Sequence, residues 1–400
     1  MWDTEADLAR PPRPGGRREA LREALHPVAS DGGTALVCCT TVAEAQQTYR
    51  DLRRAFPELA QREGGLRLLH SRYPAHVRQR ITAECETSYG KPYGEEDIAQ
   101  PRPASILVAT QVVEQSLDLD FDLIVSDLAP LAQLLQRAGR GRRHQRGATG
   151  RPTWALPEEE PRLIVLEPVD SEGVTDGPRS WGPVYDAGLL RRTALILAEA
   201  EAAGIDVPGD VQKLIDAVYA EDFVDRLAGA AEQEQQRILD AERQAEEMAQ
   251  THLASMVHIR APADVAGDLH RLSERKAGVT EELLTSRLGA DTGRVLCLYE
   301  QSDDSLALDE AGTLRLPADV RRLPRRHLAQ IISHAAPVPG TWLRGDSGHA
   351  TPQGWDEQPL LREVVLLRMR PEPDDGSGVA WSCRHGDRTI RTSDVGLEIV

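Results

Sequence analysis

The residues best equipped for chemistry lie in one short stretch, Gln136-Arg137-Ala138-Gly139-Arg140-Gly141-Arg142-Arg143-His144. Between Asp127 and Glu158 no Asp or Glu occurs, although the net charge of the chain is -17. Guanidiniums crowded together without acids repel one another unless an anion is meant to sit among them. Arginine is planar, stays charged and grips phosphate oxygens in bidentate fashion. In phosphoryl transfer such an arginine stabilises the charge spreading over the transferred group, an effect on the order of 10³–10⁵ in rate. The bland alternative is an ordinary solvated basic loop. The Gln-Arg-x-Gly-Arg order, at the end of a helix that follows a strand, favours the phosphate reading.

A second stretch runs from Val108 to Asp122. A strand ending at Thr110 leaves its hydroxyl placed to meet a phosphate. Gln111, Glu114, Gln115 and Asp118 are separated by Val112, Val113 and Leu117, which suits a short helix with one wet face. Asp118 is positioned to take a ribose hydroxyl. Asp118, Asp120 and Asp122 have a competing reading as loop acids or a cation site. A calcium loop needs Gly after the third Asp, and Leu123 stands there instead.

These stretches need elements to hold them. Short apolar runs at Thr34–Thr40, Leu66–Leu69, Ser105–Thr110, Leu123–Ser126 and Arg162–Leu166 read as buried strands. Helical spacing fills Val42–Phe56, Val77–Tyr89 and Leu131–Ala138 between them. Strands alternating with helices predict a parallel α/β sheet, whose ligands bind at the carboxyl ends of its strands. Thr40-Thr41, His70-Ser71-Arg72, Thr110-Gln111 and the arginine cluster all emerge at those ends. Residues 1–30, with several Pro and Gly, read as a lead-in plus a short helix, and 31–167 as the sheet domain. Residues 168–318 read as a mostly helical, acidic linker, and 319–400 as a small C-terminal domain with β-type runs such as Val364–Met369.

Composition narrows the class. The chain has 400 residues, of which 40% are hydrophobic and 28% charged, as in ordinary soluble proteins. Five cysteines, none in a Cys-x-x-Cys pair, argue against a disulfide framework or zinc ribbon, and no metal site is expected. No apolar run reaches membrane-spanning length and the N-terminus has no secretion-signal pattern, so no membrane partner and a cytoplasmic location are expected. Lysine occurs only at Lys91, Lys213 and Lys276, so the placing of arginines says more than their number.

The two chemical stretches, in this order, resemble motifs V and VI of superfamily 2 helicases. The resemblance narrows to the CRISPR-associated helicase–nuclease of type I interference systems. It is carried by His70-Ser71-Arg72-Tyr73, Arg78-Gln79-Arg80-Ile81, Tyr89-Gly90-Lys91, the Glu114–Asp122 run and Ser126-Asp127-Leu128-Ala129-Pro130. Val184-Tyr185-Asp186, Leu189–Thr193 and Thr285–Gly289 extend it. It runs from about residue 30 to 300 and weakly to the C-terminus, and is dense only over 34–145.

The resemblance implies a RecA-like parallel-sheet helicase domain followed by the helical linker and the small C-terminal domain. It implies an ATP-dependent helicase, with Asp118, Gln136, Arg137 and Arg140 at the nucleotide and the two arginines catalytic. Thr40, Thr41, Arg72, Thr110 and Gln111 would meet single-stranded DNA, and a CRISPR surveillance complex would be a partner. The sequence departs from the family pattern in two places. Thr40 stands where Asn is usual, and Gly141-Arg142 where Leu-His is usual.

The sequence holds no Gly-x-x-x-x-Gly-Lys-Ser/Thr phosphate loop and no His-Asp dipeptide for the family's nuclease. The expectation is therefore half a motor. Its ATP site would be completed, and its Mg²⁺ held, by a missing first RecA-like and nuclease half, and the chain alone would be inactive. The competing expectations are a non-catalytic DNA- or partner-binding remnant or accessory module, and a fragment of another superfamily 2 helicase.

Overall fold

The computed structural model describes residues 1–3, 15–92, 94, 102–114, 117–147, 149–155, 162–201, 204–257, 292–303, 305–344, 351–372 and 380–400. Gln115 and the Thr285–Gly289 segment lie outside them.

After a two-residue strand β1 (Trp2–Asp3) comes helix α1 (Arg17–Asp31). The chain then alternates β2 (Thr34–Cys38), α2 (Val42–Ala55), α3 (Pro57–Gln61), β3 (Leu66–Leu69), α4 (Ala75–Tyr89) and β4 (Ser105–Ala109). It continues through β5 (Leu123–Asp127), α5 (Leu131–Ala138), β6 (Arg162–Leu166) and β7 (Pro168–Val169). Strands β2 to β6 form one parallel sheet in the order β3-β4-β2-β5-β6. Every residue of β2, β4 and β5 is buried, as their apolar centres imply for strands covered on both faces. The chain leaves β2 toward β3, returns through β4 and crosses past β2 to β5. The ends of β2, β4 and β5 therefore flank the point where the winding reverses, the usual ligand crevice of such sheets.

Helix α1 is more than a lead-in. Leu21, Leu25 and Val28, at i, i+4 and i+7, are buried in the same core as β2 and α2. Trp2 also belongs to that core, and β1 pairs in parallel with β7.

The linker supplies α6 (Ala187–Glu201), α7 (Val211–Tyr219) and α8 (Ala230–Val257). Leu131 of α5 packs with Ile196, Leu214, Val218 and Phe223, which fixes α6 and α7 to the sheet domain. Arg192 of α6 grips Asp240 of α8 through two bonds of 3.1 and 2.6 Å. Among the described residues no helix is long and apolar enough to cross a membrane.

The C-terminal unit is a seven-stranded mixed sheet. Its strands are β8 (Thr292–Glu300), β9 (Leu306–Ala307), β10 (Ala335–Pro339), β11 (Val364–Pro371), β12 (Trp381–His385), β13 (Arg388–Ser393) and β14 (Gly396–Ile399), with α9 (Arg325–Ser333) beside them. The sheet thus begins ahead of the boundary expected at 319. β8 lies inside it, parallel to β11 and antiparallel to β10, and its apolar residues are the inner layer.

This sheet is seated on the first domain through the turn between β13 and β14. Gln46 of α2 donates to the carbonyls of Val395 (2.9 Å) and Leu397 (3.0 Å). The Tyr73 hydroxyl donates to the Asp394 carbonyl, and Arg50 meets Glu398 at 2.6 Å. Gly396 holds φ +82°, and a Cβ there would lie 3.0 Å from both Arg72 O and His70 Cε1. Only glycine fits this turn without strain.

His70 is fully buried, stacks on Tyr73 at 4.3 Å, and its Nε2 lies 2.9 Å from the Val395 carbonyl. Its Nδ1 accepts from the Arg72 amide, so Nε2 carries the proton given to Val395. Burial, opposed by the Val395 bond, lowers its pKa to about 4. An unfolded chain would take up that proton near pH 6.5 (~6.5 for free histidine). Between those values the unfolded state binds the extra proton, so stability falls as pH drops. Melting temperatures of the wild-type chain and His70→Gln should diverge least at low pH. A gap independent of pH across that window would contradict this.

Candidate functional site

Three strand ends meet at the crevice. Thr40, two residues beyond β2, is 1% exposed, and its hydroxyl is buried without a hydrogen-bond partner. Its amide donates to Asp127 at the end of β5 (3.2 Å), and its carbonyl accepts from Gln111 Nε2 beyond β4 (2.8 Å). Thr41 is committed to the chain itself. Its side chain caps α2 by accepting from the Glu44 amide, and Glu44 returns the bond to the Thr41 amide. Thr110 is buried at the end of β4, its amide on the Leu69 carbonyl.

After Thr110 the chain makes one 3-10 turn, Gln111–Val113, rather than a helix with a wet face. Val113 is buried, and the Glu114 side chain turns inward. Its Oε1 accepts from Arg137 Nε (2.9 Å) and Nη2 (2.6 Å). Arg137 is fully buried, on the side of α5 that also carries Leu131 and Leu134. It further donates to Ser126 Oγ (2.7 Å) and to the Tyr185 hydroxyl (2.8 Å). Its charge is thus neutralised inside the fold. Sequence reasoning placed both guanidiniums free at the nucleotide edge; in the fold Arg137 is enclosed, because its spacing from two core leucines turns it toward the sheet.

Arg140 has a different environment. It is 9% exposed, one Nη donates to the Glu114 carbonyl (2.8 Å), and its Nε is buried without a partner. Burial first, and then the nearby Arg143, hold its pKa below the ordinary value. The turn that presents it is pinned to Phe121. The Phe121 amide donates to the Arg140 carbonyl, and the Arg142 amide to the Phe121 carbonyl. Arg142 takes φ +47° to make that reversal. Arg143, three residues on, is exposed and meets Asp118 at 2.7 Å. His144 reaches the same Asp118 carboxylate at 3.1 Å. Gln136 is exposed on the same helix end. Asp118, Gln136 and Arg143 thus form an exposed rim, Arg140 lies largely buried beneath it, and Arg137 stands enclosed behind.

Asp120 and Asp122 resolve as structural acids. Arg151 bonds both, Arg102 and Arg146 add further contacts, and Asp122 also accepts from Thr34 N and Oγ1. Burial alone would raise the Asp122 carboxyl; Arg102 and Arg151 hold it below its usual range. Among the described residues no group of three or more His, Cys, Asp or Glu could hold a metal.

Arg72 lies apart from this rim. Its guanidinium stacks over Trp342 of the C-terminal unit at 4.6 Å, and burial lowers its pKa to about 10. A cation on an aromatic face is already partnered. The side chain expected to meet DNA is covered by a residue 270 positions away in sequence (342 − 72).

Local reading missed four residues. Arg17 of α1 grips Asp127 through bonds of 2.7 and 3.0 Å and so braces Thr40. Glu114 and Tyr185 hold Arg137. Arg143 stands on the rim above Arg140. Glu114, Tyr185 and Arg143 stand inside motif-like runs, but their partners cannot be read from those runs. Arg17 carries no such signal.

Residues 31–146 match the family described as CRISPR-associated nuclease/helicase Cas3, C-terminal. The CRISPR-associated endonuclease/helicase Cas3 of Thermus thermophilus is 31% identical over 348 residues, 81% of this chain and 35% of that protein. The crystal structure of T. fusca Cas3 with AMPPNP superposes with a TM-score of 0.79 at 37% identity, covering 96% of this chain and 40% of that one. A chain of a CRISPR RNA-guided surveillance complex, pre-nicking, gives a TM-score of 0.72 at 36% identity over 96% of this chain and 42% of that one. The chain therefore spans well under half the length of these relatives. By sequence and by fold, it belongs to the Cas3 helicase family and corresponds to the C-terminal part.

Proposed function

We propose that this chain forms one wall of an ATP-driven DNA motor, supplying the arginine finger and part of the single-strand track. The observation that carries this reading is Arg140. It stands at the strand-end rim with a buried, unpartnered Nε, and a guanidinium held out of water and short of acceptors is suited to a phosphate. Arg143, Asp118 and Gln136 would line the nucleotide beside it. Arg137 acts from behind, setting Glu114, whose carbonyl holds Arg140.

Single-stranded DNA would cross the ends of β2 and β4, where the Thr40 hydroxyl lacks a partner and Gln111 and Thr110 border the crevice. Arg72, stacked under Trp342, would shape the track rather than touch it. The β- and γ-phosphates and Mg²⁺ would be held by another half carrying the phosphate loop, since this chain holds no such motif. By likeness to the relatives, that half would bring the nuclease, the whole would work with a CRISPR RNA-guided surveillance complex in antiviral defence, and the setting would be cytoplasmic.

The test is ATP turnover. The purified chain should hydrolyse no ATP with or without single-stranded DNA. A mixture with a polypeptide carrying the phosphate loop should, with stimulation by DNA. Robust turnover by the chain alone would refute the shared site. A second reading, a binding module without catalysis, draws on the enclosure of Arg137 and Arg72. Failure of the mixture to turn over ATP would favour it.

A further inference from the structure

We infer that Tyr185, contributed by the linker, is a positioning residue that couples the strand ends facing nucleic acid to Arg140; this rests on the function proposed above. A continuous chain of hydrogen bonds carries the inference. Gln111 Nε2 donates to the Thr40 carbonyl at 2.8 Å and to the Tyr185 hydroxyl at 3.1 Å. The same phenol oxygen accepts from Arg137 Nη2 at 2.8 Å. Arg137 then holds the Glu114 carboxylate at 2.6 Å, and the Glu114 carbonyl holds Arg140 at 2.8 Å.

The chemistry of the joints makes this path sensitive to a ligand. A primary amide has two N–H donors, and those of Gln111 are both spent, one on Thr40 and one on Tyr185. Any phosphate or base that recruits the Gln111 amide must take it from one of them. If Tyr185 loses that donor, its oxygen is left to Arg137 alone. Arg137 is enclosed, with its remaining N–H groups on Glu114, Ser126 and the Asp127 carbonyl, so its neighbours must adjust with it. Tyr185 is itself fixed. Its amide bonds the Trp181 carbonyl, and the next residue, Asp186, accepts from the Leu189 amide in the first turn of α6. The joint therefore lies just before the first helix of the linker, between Gln111 on one side and Arg137 on the other. Tyr185→Phe removes only the oxygen and keeps the ring.

Hydrogen–deuterium exchange of the full chain, with and without a short oligothymidylate, tests this. In the wild type, the oligonucleotide should slow exchange severalfold at residues 40–46 and 110–114 and also at 135–143. In Tyr185→Phe the first two protections should remain and the third should vanish. Gln111→Ala should also lose the third, together with part of the protection at 110–114 that its own proposed contact supplies, and the double variant should lose no more than Gln111→Ala alone, as expected for residues on one path. Thermal melting of each variant separates this from unfolding, which would erase protection everywhere, including in β5. Protection at 135–143 that survives Tyr185→Phe, or that never occurs in the wild type, overturns the coupling while leaving the DNA track standing. No protection at any of the three segments overturns the coupling and the DNA track together.

Discussion

Arg140→Ala is expected to lower DNA-stimulated ATP turnover about 10³-fold or more in the mixture of this chain with its phosphate-loop half. The loss should fall on kcat, because an arginine finger acts on charge that develops in the transition state. Affinity for single-stranded DNA should hold, since the residue borders the rim proposed for the nucleotide and not the ends of β2 and β4. Stability should change little. Arg140 gives one hydrogen bond to the Glu114 carbonyl and leaves its Nε unpaired, so its removal strands no buried charge. Arg137→Ala supplies the contrast. It leaves the Glu114 carboxylate without its 2.6 Å partner, and breaking such a buried pair costs about 3–5 kcal/mol. Activity should fall in both variants, but the melting temperature should fall only with Arg137→Ala. Equal loss of stability in the two would mean that Arg140 is also a structural arginine, and equal stability with retained turnover would remove it from catalysis.

Arg17→Ala is expected to destabilise the chain by about 3–5 kcal/mol, the range for removing one partner of a buried ion pair. Asp127 is fully buried at the end of β5, and Arg17 is its paired cation. Burial works against the Arg17 charge, and Asp127 beside it more than restores it, leaving its pKa above the ordinary arginine value. Without Arg17 the carboxylate keeps the Thr40 amide at 3.2 Å but has no counter-charge. The same change loosens Thr40, so affinity for single-stranded DNA should weaken along with the fold. Truncation before residue 31 should be at least as damaging, because it also removes Leu21, Leu25 and Val28 from the core. Chemical denaturation of the two variants is the measurement. An unchanged midpoint in Arg17→Ala would show that the ion pair with Asp127 adds nothing to stability.

Much of the first domain was legible in the sequence by itself. The runs at 34–38, 105–109 and 123–126 are buried along their whole length, because strands covered on both faces keep an apolar centre with no polar side to show. The motif order around Val108–Asp122 and Gln136–His144 pointed to the helicase family, and strand ends in a parallel sheet had to gather those residues on one edge. Tertiary structure decided which of them remain available. Arg137 and Arg140 are three residues apart and look alike in sequence, yet helical geometry turns one onto Glu114 and the core and leaves the other at the rim. Arg72 meets Trp342, Gln46 meets Val395, and Arg17 meets Asp127 across 110 positions. Local pattern reports the face that a residue presents within its own element. The partner waiting on that face is set by how distant elements close on one another, and a buried charge is neutralised by whichever group that closure brings within bonding distance.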